Sequence, residues 1–121
     1  MTLGMRTERV RGHLDLLLLE ILSAGPGHGY AVITVLRERS GGLLDLTEGA
    51  VYPALHRLED QGLLTSDWQS FAGRRRRIYA MSPAGANALQ AQRRDWRLLV
   101  SAVDAVLAPG HGTSRASAVG A

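Results

Sequence analysis

The chain has no cysteine, which excludes disulfides, thiolate metal sites and cysteine nucleophiles at once. It has no lysine either: all 14 basic residues are arginine. A GC-rich genome explains such a bias, but the physical consequence is the same whatever its origin. Each positive group is a planar fork that matches phosphate oxygens and guanine edges. Long hydrophobic runs are also missing. The N-terminal leucine run, Leu16 to Leu19, is bounded by Asp15 and Glu20 and is far too short to span a bilayer. With Glu8 among the arginines before it, this stretch does not read as a signal peptide, and a cytoplasmic location is predicted. The four histidines, His13, His28, His56 and His111, are scattered. None has a second ligand at metal spacing, so neither a metal nor a cofactor is expected. No spacing gathers a serine, a histidine and an acid, which makes an enzyme the remote reading.

What is present is ordinary for a soluble globular protein: 121 residues, 45% hydrophobic and 21% charged, with a formal net charge of +3. That length predicts one domain. Residues from about Arg6 to Ser23 read as a first helix, with Val10, Leu14, Leu17, Leu18, Ile21 and Leu22 at helical spacing. Leu16 and Leu19 widen its apolar surface past one stripe, which predicts burial on a second side, against a partner subunit. Gly25-Pro26-Gly27 reads as a turn rather than a phosphate loop, because it follows a helix and lacks the lysine. A second helix is predicted from His28 to Glu38 or Ser40, ended by Gly41-Gly42.

The third helix is the focus of the chain. Thr47 would cap it, Glu48 would suit its dipole, and Gly62 would end it. Its buried stripe would be Val51, Leu55, Leu58 and Leu63, leaving Glu48, Tyr52, His56, Arg57 and Glu59 on the other face. Pro53 lies near its start, where little hydrogen bonding is lost and a bend is expected. Two strands follow, Leu63 to Gln69 and Arg76 to Met81, joined by Ser70-Phe71-Ala72-Gly73-Arg74-Arg75. Leu64, Ser66 and Trp68 share a face of the first strand, and Arg77, Tyr79 and Met81 a face of the second. Ser82-Pro83 opens a last helix that stops before Pro109-Gly110. Leu89, Trp96 and Val103 recur there at sevens, as do Val100 and Leu107, a coiled-coil-like spacing.

Helix, link, helix, then a hairpin with a basic tip is the layout of a winged helix-turn-helix. The fold class is therefore mainly α with a small β-hairpin, plus one long C-terminal helix, expected as a dimerisation helix although its repeat is too short to specify an oligomer by itself. The predicted division is 6–81 for the DNA-binding domain, 82–108 for that helix, and a disordered tail at 109–121. A run such as Arg74, Arg75, Arg76 and Arg77 is usually a solvated surface. Here its place beside a hairpin tip, a short distance after a capped helix, points to phosphates. The first turns of the third helix are where base edges are met. The candidate DNA contacts are Thr47, Glu48, Gly49, Ala50, Tyr52, Pro53, His56 and Arg57, with the four arginines. Trp96 is core or interface packing, or a platform for a planar aromatic ligand. A winged-helix adaptor that binds protein instead of DNA is the alternative. It calls for an apolar outward stripe on the third helix, and that face is polar.

With these residues laid out, the chain resembles the PadR family of bacterial transcriptional regulators. The resemblance rests on GHGYAVI at 27–33, EGAVYPALHRLEDQGLL at 48–64, GRRRRIYAMSPAG at 73–85 and the long helix after them. It covers roughly residues 10 to 107, and the Tyr52-Pro53 pair is its most specific part. The resemblance implies a homodimer on double-stranded DNA that represses its targets, with the last helix packed on its counterpart and on the partner's first helix. Leu14, Leu18, Leu89, Trp96, Leu99, Val100, Val103 and Leu107 are the candidate dimer contacts. It also implies that a planar aromatic effector would bind between subunits near Trp96. Ala50 departs from the pattern, in a place where threonine is common, so a hydroxyl contact is missing.

Overall fold

The computed structural model describes residues 10–110. A 3-10 turn at Arg11–His13 leads into helix α1, Leu14–Leu22. The first helix was expected from Arg6; residues 6–9 lie outside the described residues, Val10 is already helical, and the helix tightens to a 3-10 turn at Arg11–His13 before Leu14. Helix α2 is Gly29–Arg39 and helix α3 is Glu48–Asp60. Thr47 caps α3 as expected, its Oγ1 accepting from the Ala50 N–H at 3.2 Å. Pro53 leaves α3 unbroken; the carbonyl it deprives of a partner, on Gly49, belongs to an exposed residue where water can take it.

The sheet is larger than the sequence suggests. Strands β2, Leu64–Phe71, and β3, Arg74–Met81, pair antiparallel along their full length. The stretch expected to be a turn also supplies a strand: β1, Gly27–His28, pairs with β3 at Tyr79 and Ile78. The order is β1-β3-β2, so β3 is central. Only Ala72 and Gly73 connect β2 to β3, both left-handed at φ 52° and 78°, as a tight hairpin of right-twisted strands requires. The basic residues therefore stand on the strand rather than in a loop at its tip.

One core joins these elements. Val51, Ala54, Leu55 and Leu58 of α3 meet Leu18, Leu19 and Leu22 of α1 and Val32, Ile33 and Leu36 of α2, with Leu64 and Tyr79 from the sheet. Leu63 lies beyond α3 and is half-buried, so Ala54 completes the stripe instead. Each fully buried leucine in that set contributes on the order of 2 kcal/mol. Three residues expected at a dimer contact are used here. Leu14, Leu18 and Leu89 are 7%, 0% and 2% exposed, so a partner would find almost none of their surface. The second apolar side of α1 is carried by half-buried Leu16, Leu17 and Ile21, which pack against the same core.

Helix α4, Pro83–Leu107, starts at Ser82, whose Oγ accepts from the Gly85 N–H at 3.0 Å and donates to the Gly62 carbonyl at 2.6 Å. The chain divides within this helix, between Gln90 and Ala91, rather than at Ser82. Gly85 and Leu89 are buried, which draws the first turns of α4 into the first unit. Beyond Ala91 the helix carries exposed Trp96, Leu98, Leu99, Val103, Val106 and Leu107. Among the described residues, no helix is long and apolar enough to cross a membrane.

Gly85 shows how closely the helix start is fitted. A Cβ there would stand 2.1 Å from the Leu63 carbonyl oxygen and 2.8 Å from Met81 Cγ. Gly85→Ala should thus lose roughly 2 kcal/mol or more to overpacking, although helix propensity alone would gain about 1 kcal/mol. Thermal denaturation should show a midpoint lowered by several degrees; an unchanged or raised midpoint would contradict this packing.

Candidate nucleic-acid interface

The N-terminal half of α3 and the arginine strand face each other across a cleft of about 650 Å³. One wall holds Glu48, Tyr52 and His56, and the other holds Trp68 and Arg74 to Arg77; His28, Gly29 and Tyr30 close one end, and Tyr79 also lines it. Burial of Val51, Leu55 and Leu58 turns His56 outward, on the opposite side of a 3.6-residue turn, while Glu48 is exposed in the first turn of the helix. Tyr52 fits because residue 29 is a glycine, where a Cβ would be 2.5 Å from the ring. Tyr79 is 1% exposed, and its hydroxyl has no hydrogen-bond partner among the described residues. Burial raises its pKa, opposed by the nearby Arg77 guanidinium.

Strand geometry divides the arginine run. Successive side chains leave a strand on opposite faces, and the register pairs Arg75 with Ser70, Arg76 with Gln69 and Arg77 with Trp68. Arg75 and Arg77 accordingly share a face with Trp68, their guanidinium carbons 4.8 and 5.5 Å from its ring centre. Arg76 goes to the other face, 5.5 Å from the Phe71 ring centre. Trp68 and Phe71 are both exposed, at 54% and 64%. Stacking of this kind is worth about 0.5–1 kcal/mol at exposed sites, and it orders long side chains that would otherwise wander.

The four guanidinium groups are not equally available. Arg74 and Arg75 are exposed. Arg77 is held: its Nε donates to Ser66 Oγ at 2.8 Å and its Nη2 to Glu59 Oε1 at 3.1 Å, while Ser66 Oγ donates to Glu59 Oε2 at 2.7 Å. Arg76 Nη1 lies 2.9 Å from His28 Nε2. On α3, Arg57 was expected to serve a phosphate or a guanine, but it forms an ion pair with Asp15 of α1. That pair is exposed enough to contribute at most about 1 kcal/mol, and it turns the guanidinium back toward the protein. Thr47, Glu48, Gly49, Pro53 and His56 are exposed, and Ala50 and Tyr52 half-buried. The structure therefore brings the expected helix and wing residues together, and gives two of the arginines, Arg57 and Arg77, protein carboxylates as partners.

A model described as the transcriptional regulator PadR-like family matches residues 18–91. The chain belongs to this family of transcriptional regulators. Over 49 residues it is 49% identical to the transcriptional regulator Rv3488 of Mycobacterium tuberculosis, a match spanning 40% of this chain and 46% of that protein. A 64-residue match to the Escherichia coli transcriptional regulator YqjI, 38% identical, spans 51% of this chain and 31% of that protein. The chain thus spans less than half the length of these curated relatives. Solved structures cover more. A transcriptional regulator from Clostridium thermocellum superposes with a TM-score of 0.79 at 25% identity, covering 84% of this chain and 99% of that one. A PadR family regulator from Eggerthella lenta gives 0.74 at 31% identity, covering 83% and 86%.

In this PadR-like chain, one residue of the cleft was read only as the start of a helix. His28 does three things: its backbone pairs with Ile78, its Nδ1 accepts from the Ala31 N–H at 3.2 Å to cap α2, and its Nε2 meets Arg76. A neutral imidazole has one lone pair, so the ring accepts at one nitrogen at a time. A second proton would remove that one acceptor and set the ring's charge against Arg76. Burial, and then the Arg76 charge, lower the His28 pKa from its ordinary 6.5. Folding thus favours the neutral ring. Its contribution to stability is complete above the ordinary value and is lost as pH falls through the lower folded one. Thermal midpoints measured from pH 8 down to pH 5 should fall more steeply for the wild type than for His28→Asn, which keeps a capping oxygen without titrating. Parallel curves would contradict the assignment.

Proposed function

We propose that this chain is a DNA-binding transcriptional repressor that acts as a homodimer in the cytoplasm. The observation that carries the reading is the cleft, where the first turns of a capped helix face a strand of four arginines. A helix of this kind enters a major groove by its N-terminal end, so Glu48, Tyr52 and His56 would meet base edges. Arg74 and Arg75 would neutralise phosphates beside that groove, held in place on the wing by the hairpin and by Trp68. The absent hydroxyl at Ala50 leaves base reading to few side chains. Specificity would then rest partly on the spacing of two half-sites, about 34 Å apart in a pseudo-palindromic operator.

The second subunit is supported by the outer half of α4. Trp96, Leu99, Val103 and Leu107 are 42%, 43%, 44% and 74% exposed, with half-buried Val100 among them. Apolar surface repeated at near-heptad spacing is what a partner helix covers. Trp96 would face the subunit boundary, where a planar aromatic effector could stack on it and shift the spacing of the two DNA-binding units.

Fluorescence anisotropy with a labelled duplex from upstream of the chain's own gene tests the reading. Arg74→Ala and Arg75→Ala should each weaken binding to every sequence and flatten the slope of log K against log salt by about 0.9. Unchanged affinity of both variants at low salt would overturn the wing's role. Sedimentation of the free protein should give a dimer, and a monomer that shifts no DNA would overturn the whole reading.

A further inference from the structure

We propose that Glu59 is a positioning residue for DNA binding: through Arg77 it sets where the wing's guanidinium groups stand relative to the recognition helix. The inference rests on the DNA-binding reading above and changes the part assigned to Arg77. Glu59 lies in the last turn of α3, beyond the turns that would meet bases. Its two carboxylate oxygens are both used, Oε2 by Ser66 of β2 at 2.7 Å and Oε1 by Arg77 of β3 at 3.1 Å. Arg77 Nε closes the ring onto Ser66 Oγ at 2.8 Å. The hydroxyl donates its one proton to the carboxylate and accepts from the guanidinium, so every role in the ring is compatible. One charge-assisted clasp therefore ties the helix to both strands of the wing.

The clasp extends outward through stacking. Arg77 lies 5.5 Å from the Trp68 ring centre and 5.9 Å from that of Tyr79, and Arg75 lies 4.8 Å from Trp68 on the same sheet face. Glu59 fixes Arg77, Arg77 fixes the Trp68 ring, and Trp68 carries the exposed guanidinium of Arg75. The sign of the electrostatics separates this from a simple charge effect. A carboxylate near the phosphate-facing wing repels DNA, so deleting one should tighten binding if its charge were all that mattered. A positioning carboxylate gives the opposite result when deleted.

The test uses full-length protein and the duplex upstream of its gene. Glu59→Ala should weaken binding by about fivefold to tenfold, within the range of coupling seen for residues of one hydrogen-bonded network. Glu59→Ala combined with Arg77→Ala should bind no more weakly than Arg77→Ala alone, because the carboxylate acts through that guanidinium. Ser66→Ala, which removes the third corner with little risk to folding, should weaken binding in the same direction. Equal or tighter binding by Glu59→Ala would overturn the proposal, as would fully additive losses in the double variant. A second readout needs no DNA. The Arg77 Nε–H resonance should exchange slowly with water in the wild type and rapidly in Glu59→Ala. Rapid exchange in the wild type overturns the clasp itself. Slow exchange in a wild type that binds no duplex upholds the clasp and overturns the DNA-binding reading instead.

Discussion

Four consecutive guanidinium groups cannot stay together on a β-strand. The pleat sends Arg75 and Arg77 to the face shared with Trp68, and Arg76 to the face shared with Phe71. Because β3 is bonded to β2 on one edge and to β1 on the other, it can neither slip in register nor swing away from the helices. That constraint turns a block of like charge into separate tasks. Arg77 and Arg76 are drawn inward onto Glu59 and His28, while Arg74 and Arg75 stay at the surface. Mutual repulsion among the four is relieved by the same division, since the two inward groups meet a carboxylate or an imidazole nitrogen.

The features that could be read from the sequence are local ones. Thr47 and Ser82 cap helices because a hydroxyl three residues before a free N–H satisfies it, a relation visible in the letters alone. The stripe Val51, Leu55 and Leu58 follows from helical period, and α4 runs from Pro83 to Leu107 as its punctuation predicts. Non-local features were hidden. Strand β1 is two residues long, too short to show any alternation, and exists only because Tyr79 and Ile78 lie beside it. The tight turn was also hidden, because alanine at position 72 gives no sign of a positive φ. Its consequence was to move Arg74 and Arg75 from the loop into the strand.

The partners of the charged residues were equally beyond a sequence reading. Arg57 pairs with Asp15, 42 positions away, and Arg76 meets His28, 48 positions away. Each basic residue looks available for DNA until the fold brings an acceptor beside it. The same holds for the apolar residues: Leu14, Leu18 and Leu89 share their periodicity with exposed Leu99 and Val103, and only packing separates a core residue from one left for a partner. Glu59, read at first as one polar group on an outward face, is the clearest case. Its importance comes from standing within reach of two strands.

On the function proposed above, the first turns of α3 and the outer arginines of β3 form one surface for duplex DNA. Titrating duplex into isotopically labelled protein and following its amide and arginine side-chain resonances tests this most directly. The largest shifts should fall together on Thr47, Glu48, Tyr52, His56, Arg74 and Arg75, in proportion to bound DNA. Shifts confined to residues 91–107, or spread evenly with none at these positions, would rule out that surface.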